Sequence, residues 1–179
     1  MESKAHSIEL DKLVGLFFDR VDEIGRFQLC NSERIPEPQC SLLNHDRHMT
    51  VTLEKFHSSS VDVVVEQEKR DASFYSREIR LKKSSDSGVV QYGIVRLNFN
   101  HLDESVQSEI VDHSKPLGRI LIDHNVLRRV KLLSLYEIAP SPYLAKQLDC
   151  SADEMQYGRT AVIYCNEEPA IELLEIVNR

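Results

Sequence analysis

An arginine interrupts the apolar row of one short strand-like segment, and this arginine is the strongest sign of chemistry in the chain. With a period of two, one face of the segment carries this row: Tyr75, Arg77, Ile79 and Leu81. The opposite face, with Ser76, Glu78 and Arg80, is predicted to be an ordinary solvated one. A buried guanidinium must be paired or bound to an anion, because desolvating its charge costs several kcal/mol. The row therefore predicts either a structural ion pair or a pocket for a planar anion, since guanidinium geometry suits both.

A glutamate occupies a similar position near the C-terminus. One face of the segment from residue 170 to 177 reads Ile171, Leu173, Glu175 and Val177. A carboxylate in an apolar row is unfavourable unless a cation compensates its charge. The opposite row is mostly apolar too, so this strand alone leaves the direction of burial open. Arg77 and Glu175 could satisfy each other, or they could flank a ligand that is anionic at one end and hydroxylated at the other.

Length and composition favour one soluble domain spanning residues 1–179. The chain has 179 residues, 41% of them hydrophobic, which is enough for one core. No apolar run approaches the length of a membrane span, and the N-terminus does not resemble a secretion signal. The four cysteines form no CxxC pair; they could make two disulfides, but without a secretion signal we expect reduced thiols and a cytoplasmic location. The net charge of −7 argues against nucleic acid as a partner.

Common cofactor and catalytic motifs are absent from the sequence. There is no GxGxxG, P-loop, GxSxG or HExxH, and glycine totals only 6. His45 and His48 have an i, i+3 spacing, but no third ligand accompanies them. We therefore expect neither a metal nor an organic cofactor.

The pattern of elements predicts an α+β fold on an antiparallel sheet. We expect a helix capped by Ser7 from about Ile8 to Ile24 and stopped by Gly25, a loop over 26–41, and helices over 42–56, 103–113, from Pro116 and from Ser141. Six strands are predicted, over 61–69, 74–82, 89–99, 127–138, 159–165 and 170–177. Their short links favour hairpins, and the order is not a βαβ alternation.

Five separated segments, taken in order and at these distances, resemble the chorismate lyase (chorismate pyruvate-lyase) family. They are His48-Met49-Thr50, Tyr75-Ser76-Arg77-Glu78-Ile79, Pro116-Leu117-Gly118-Arg119, Tyr157-Gly158-Arg159 and Leu174-Glu175-Ile176. The resemblance is closest in Arg77-Glu78-Ile79 and in the Pro-Leu-Gly-Arg segment. It runs from about Leu42 to Val177, whereas the helix and loop over 1–41 match poorly.

The resemblance implies a six-stranded antiparallel sheet with helices and an enclosed pocket. It also implies cleavage of chorismate to 4-hydroxybenzoate and pyruvate without a cofactor. Arg77 would hold the ring carboxylate, and Glu175 would act at the 4-oxygen end, as a base or as a hydrogen-bond partner. Met49 and Leu117 would complete the pocket. Arg119 and Arg159 are candidates for the second carboxylate of the substrate; otherwise they are a surface arginine and a strand-end ion pair.

Two other functions compete with this one. Small-molecule-sensing domains of some bacterial transcription regulators resemble the same fold, and their pocket binds an effector without turning it over. Those regulators carry a winged helix-turn-helix of about 60 to 70 residues, whereas about 40 residues precede Leu42 here. The third hypothesis is a related enzyme that acts on another chorismate-derived substrate, because a fold does not fix its ligand. Retention of both Arg77 and Glu175 favours the lyase.

Overall fold

The computed structural model describes residues 8–178, which form a seven-stranded antiparallel sheet with helices on both faces. The strands are β1 (Gly25–Cys30), β2 (Val61–Asp71), β3 (Phe74–Lys83), β4 (Val89–Asn98), β5 (Arg128–Pro140), β6 (Gln156–Cys165) and β7 (Glu168–Val177). Their order across the sheet is β1-β5-β6-β7-β4-β3-β2. The helices are α1 (Ile8–Val14), α2 (Gln39–Leu43), α3 (Met49–His57), α4 (Glu104–Val111), α5 (Leu117–Asp123) and α6 (Pro142–Leu148). None of these helices is long and apolar enough to cross a membrane.

Helices cover the sheet on two sides, which we call the front face and the back face. The front face carries the side chains of Arg77 and Glu175, and it packs against α2, α3, α4 and α5. The back face packs against α1 and α6 through an apolar cluster that includes Leu10, Tyr92 and Leu144. Because both faces are covered, the prediction of a solvated back face on β3 is wrong. Glu78, which points to that face, is 0% exposed.

The N-terminal part of the chain departs most from the prediction. The helix expected to reach Ile24 ends at Val14, and Ser7, its predicted cap, lies outside the described residues. The predicted loop begins with an edge strand, β1, which pairs with the second half of β5. Gly25 is the first residue of this strand rather than a helix stop. A Cβ atom there would lie 2.7 Å from the Ala139 carbonyl oxygen, so glycine permits the close approach of the two strands.

The predicted α+β class and the antiparallel sheet are confirmed, with seven strands instead of six. The single helix expected over 42–56 is two helices, α2 and α3, separated by the segment 44–48. The predicted strands are present, and most are longer at one end by one to three residues.

Candidate functional site

A small cavity lies on the front face, between the sheet and the first residues of α3 and α5. It is lined by five of the six residues singled out in the sequence: Met49, Arg77, Leu117, Arg159 and Glu175. Its volume of about 40 Å³ has room for a few water molecules. A ligand of the size of an aromatic ring therefore requires movement of the walls.

Arg77 supplies the cationic wall of this cavity. Its side chain rises from the middle of β3 and is 1% exposed. Nη1 donates a hydrogen bond to the Ile110 carbonyl oxygen at 3.1 Å, whereas Nε–H has no hydrogen-bond partner among residues 8–178. Burial lowers the pKa of this guanidinium from its ordinary value, and the nearby Tyr75 and Glu68 oppose that effect. An arginine remains charged in proteins, so the cavity holds a desolvated cation with an unused donor.

Tyr75, two residues before Arg77 on β3, forms a hydrogen-bonded cluster with Glu68 and His113, and sequence periodicity did not predict the last two. The Tyr75 hydroxyl donates to Glu68 Oε2 at 2.6 Å, and its oxygen lies 2.8 Å from His113 Nε2. Burial, and then the hydrogen bond to Glu68, raise the pKa of Tyr75. Glu68 and His113 belong to different elements, β2 and the turn after α4. Only the folded chain brings them together.

Glu175 forms an ion pair with Arg159, not with Arg77. The two residues are directly opposite each other in β7 and β6, and Arg159 Nε lies 2.7 Å from Glu175 Oε2. Arg159 Nη1 also donates to the carbonyl oxygens of Leu43 and His45, at 3.1 and 2.8 Å. Most donors of Arg159 are therefore used by the protein itself. This arginine joins β6 to the segment between α2 and α3.

A buried amide completes the polar wall, and sequence reasoning missed it. Gln91, on β4, is 3% exposed and lines the cavity, and its Oε1 has no hydrogen-bond partner among the described residues. An unused acceptor and the unused donor of Arg77 thus border one cavity. Buried polar atoms are rarely left without partners, and such exceptions point to a missing ligand or water.

The close approach of α3 and α5 places Met49 and Leu117 at the mouth of the cavity, each as the first residue of its helix. A Cβ atom on Gly118 would lie 2.7 Å from Thr50 Oγ1, so glycine permits this contact. Arg119, the next residue of α5 after Gly118, points away from the cavity. It pairs with Glu54 at 2.5 Å, and its side chain is 39% exposed.

His45 and His48 do not form a metal site with any third side chain within residues 8–178. Burial, and then the positive charge of Arg159 or Arg128, lower the pKa of each imidazole to about 4. Both rings are therefore neutral near pH 7. His48 Nε2 accepts a hydrogen bond from Arg128 Nε, and the ring lines the cavity.

The fold is similar to solved structures of bacterial regulator domains. PhnF from Mycobacterium smegmatis is 14% identical, with a TM-score of 0.56, over 74% of this chain and 64% of that one. The effector domain of the same protein is 15% identical, with a TM-score of 0.51, over 74% and 88% of the two chains. The ligand-binding domain of a putative GntR-family transcriptional regulator from Bordetella bronchiseptica is 14% identical, with a TM-score of 0.51, over 66% and 85%.

At these identities the likeness shows the fold, which is chorismate lyase-like. The chain spans less than two thirds of the first PhnF chain, namely 64%. Neither protein-family models nor curated proteins gave a match. The expected membership in the chorismate lyase family is therefore supported at the level of the fold only.

Proposed function

We propose that this chain is a ligand-binding domain for a small organic anion and that Arg77 holds the anionic group. The observation that carries the proposal is the unpartnered Nε–H of a guanidinium that is 1% exposed. Keeping a cation in a low-dielectric cavity without an anion is unfavourable, and a bound carboxylate would remove that penalty. A planar carboxylate matches the fork of the guanidinium.

The remaining walls indicate what the rest of the ligand is. Val95, Leu117 and Leu173 are apolar, and the Gln91 Oε1 atom offers an acceptor to a hydroxyl group. We infer a hydroxylated aromatic or similar flat acid as the ligand class. Admitting it requires α3 or α5 to move, because the cavity measures only about 40 Å³. Such movement is the response that a sensing domain needs, since a ligand shifts a protein towards the conformation that binds it better.

Calorimetric titration with 4-hydroxybenzoate tests this function. The parent protein is expected to bind, and Arg77→Met is expected to lose about 2–5 kcal/mol of binding free energy. Arg77→Lys should fall between the two, because an ammonium keeps the charge but not the planar fork. Arg119→Met is the matched control, since that arginine pairs with Glu54 outside the cavity. Equal affinity of the parent and Arg77→Met would assign Arg77 to a structural role.

Chorismate cleavage is the second candidate, because Arg77 and Glu175 line one cavity, as the family resemblance implies. Elimination of the enolpyruvyl group aromatises the ring, so the protein only has to orient the substrate, exclude water and provide a base. Glu175 Oε2 accepts from Arg159, which leaves Oε1 for this work.

Incubation of the protein with chorismate separates the two candidates. Release of 4-hydroxybenzoate and pyruvate, unaffected by a chelator, would support the lyase. In that case Glu175→Gln should slow turnover about 10²- to 10⁴-fold if Glu175 is the base. Binding of chorismate without turnover would support sensing.

A further inference from the structure

A large groove adjoins the cavity on the outer side of α3 and the first half of β5. Its volume is about 940 Å³. Three residues belong to the walls of both the groove and the cavity: Arg47, His48 and Val130. The cavity and the groove are therefore separated by little more than these side chains.

The groove is rich in cations, although the chain as a whole carries a net charge of −7. Four basic residues lie along it: Arg47, Arg128, Arg129 and Lys131. Arg128 shares the cavity side of β5 with Val130, whereas Arg129 and Lys131 alternate to the opposite side, where Arg129 lies over the Tyr164 ring. The cations next to the cavity are therefore Arg128 and Arg47, which also lines the cavity. Among residues 8–178, none of the four has a carboxylate within ion-pairing distance. Asp46 is the only acidic residue on the groove wall in the part of the chain that the structure describes, and Glu167 lines a neighbouring hollow with Arg128 and Arg129. Unpaired cations in a concave surface attract anions more strongly than the overall charge would suggest.

One hydrogen bond links the groove to the cavity wall. Arg128 Nε donates to His48 Nε2, and this imidazole accepts in its neutral form. A carboxylate or phosphate is a stronger acceptor for a guanidinium than a neutral ring nitrogen. An anion in the groove would therefore replace His48 Nε2 as the acceptor of Arg128 Nε. The His48 side chain, which lines both the groove and the cavity, would then lose this hydrogen bond.

The arginines expected to bind a second anionic group are occupied. Arg159 donates to Glu175 and to backbone carbonyl oxygens, and Arg119 is paired with Glu54. We propose that the groove binds the second anionic group of the ligand, so that the ligand is a small molecule with two anionic groups, one at Arg77 and one at the groove. The second group is a carboxylate or a phosphate. This inference rests on the proposed function of the cavity.

Matched probes test the inference on the whole chain. The single anion is 4-methoxybenzoate, and the dianions are 4-(carboxymethoxy)benzoate and 4-carboxyphenyl phosphate, which keep the same aromatic acid. We expect at least one dianion to bind about tenfold more tightly than the monoanion, as several charge-assisted contacts allow. The preferred dianion shows whether the second group is a carboxylate or a phosphate.

Variants of the groove decide whether the gain arises there. In Arg47→Gln/Arg128→Gln, the ratio of dianion to monoanion affinity should fall towards one, and higher salt should reduce it in the parent. Arg20→Gln, a change of an exposed arginine paired with Asp22, should leave the ratio unchanged. Equal binding of the monoanion and both dianions, or a ratio that the groove variant does not change, would overturn the inference and leave the cavity proposal standing. No binding of any probe would overturn both.

Discussion

Consecutive residues of β3 place opposite charges on the two faces of the sheet, and the protein treats them differently. On the back face, the Glu78 carboxylate is 0% exposed and accepts three hydrogen bonds, from Tyr92 at 2.7 Å, Tyr143 at 2.6 Å and Gln67 at 2.8 Å. On the front face, Arg77 Nη1 donates to the Ile110 carbonyl oxygen at 3.1 Å, and its Nε–H has no hydrogen-bond partner among residues 8–178.

This difference separates a charge that serves the fold from one that is available to a ligand. A buried charged group with all its hydrogen bonds made by the chain belongs to the structure, because removing it leaves several donors without an acceptor. A buried charge with an unused hydrogen-bonding atom beside a cavity marks a site for something else. Substitutions of charges on the two faces should therefore differ in their effect on the stability of the protein.

Glu78→Ala is expected to lower the free energy of unfolding by about 2–5 kcal/mol, because two tyrosines and Gln67 lose their common acceptor inside the protein. Urea denaturation followed by circular dichroism measures the change. The control variant is Glu104→Ala, on the exposed side of α4. Ser87→Ala, at an exposed turn, is not a suitable control because the φ angle of Ser87 is 63°. A loss no larger than that of Glu104→Ala would mean that the Glu78 network contributes little.

Glu175→Gln is expected to lower the free energy of unfolding by a smaller amount, about 1–3 kcal/mol. The amide oxygen can still accept from Arg159 Nε, but the buried arginine loses its counter-charge. The same denaturation experiment checks this. An unchanged unfolding free energy would show that the backbone carbonyl oxygens alone compensate Arg159.

Acid should weaken the front face through two of its histidines. The pKa of His45 and of His48 is about 4 in the folded protein, below the ordinary 6.5, because burial disfavours the charged ring. Between these values the unfolded chain binds protons that the folded chain does not, so the free energy of unfolding falls as pH falls from about 6.5 towards 4. From pH 7 to pH 5 we expect each of the two histidines to contribute up to about 2 kcal/mol to this loss.

Unfolding measured at both pH values checks this, and His45→Gln/His48→Gln should reduce the slope. His57, whose pKa burial also lowers, contributes to what remains. The same pH dependence in the parent and in the double variant would contradict the assignment to the front-face histidines.

Arg77→Met should change the free energy of unfolding least, and the value should stay the same or rise. The substitution replaces a desolvated cation by an apolar side chain of similar length, which is often neutral or stabilising. Thermal and chemical denaturation of Arg77→Met and Glu78→Ala in parallel make the comparison direct. A marked loss in Arg77→Met would place Arg77 with Glu78 among the structural charges.

Sequence periodicity predicted the strands well where the pattern was long, and it failed at the edge of the sheet. β1 has only six residues, begins with a glycine and precedes two prolines, so it lacks the long alternation that identifies a strand. The predicted helix from Ile8 was too long, because the apolar residues Leu16, Phe17 and Phe18 continue the helical pattern beyond its real end. They pack against the back-face cluster after the helix has ended.

The same periodicity predicted the inward direction of Arg77 and Glu175 but not the partner of either. A bulge in β7, where Ala170 is the extra residue opposite the step from Ile163 to Tyr164, shifts the register of the last hairpin by one residue. Without it, Arg159 would be opposite Leu174 instead of Glu175. The pattern of one strand could not predict the burial of Glu78 either. This burial depends on α6, which brings Tyr143 to the back face.

The central claim is that the Nε–H of Arg77 binds the anionic group of a ligand, and the NMR signal of this group tests it most directly. The signal is assigned by its disappearance in Arg77→Lys, and the protein is then titrated with 4-hydroxybenzoate. The Arg77 Nε–H proton is expected to move downfield and to exchange more slowly with water as the ligand binds, because it gains a charge-assisted hydrogen bond. Saturable binding of 4-hydroxybenzoate with no change in this signal would contradict the claim.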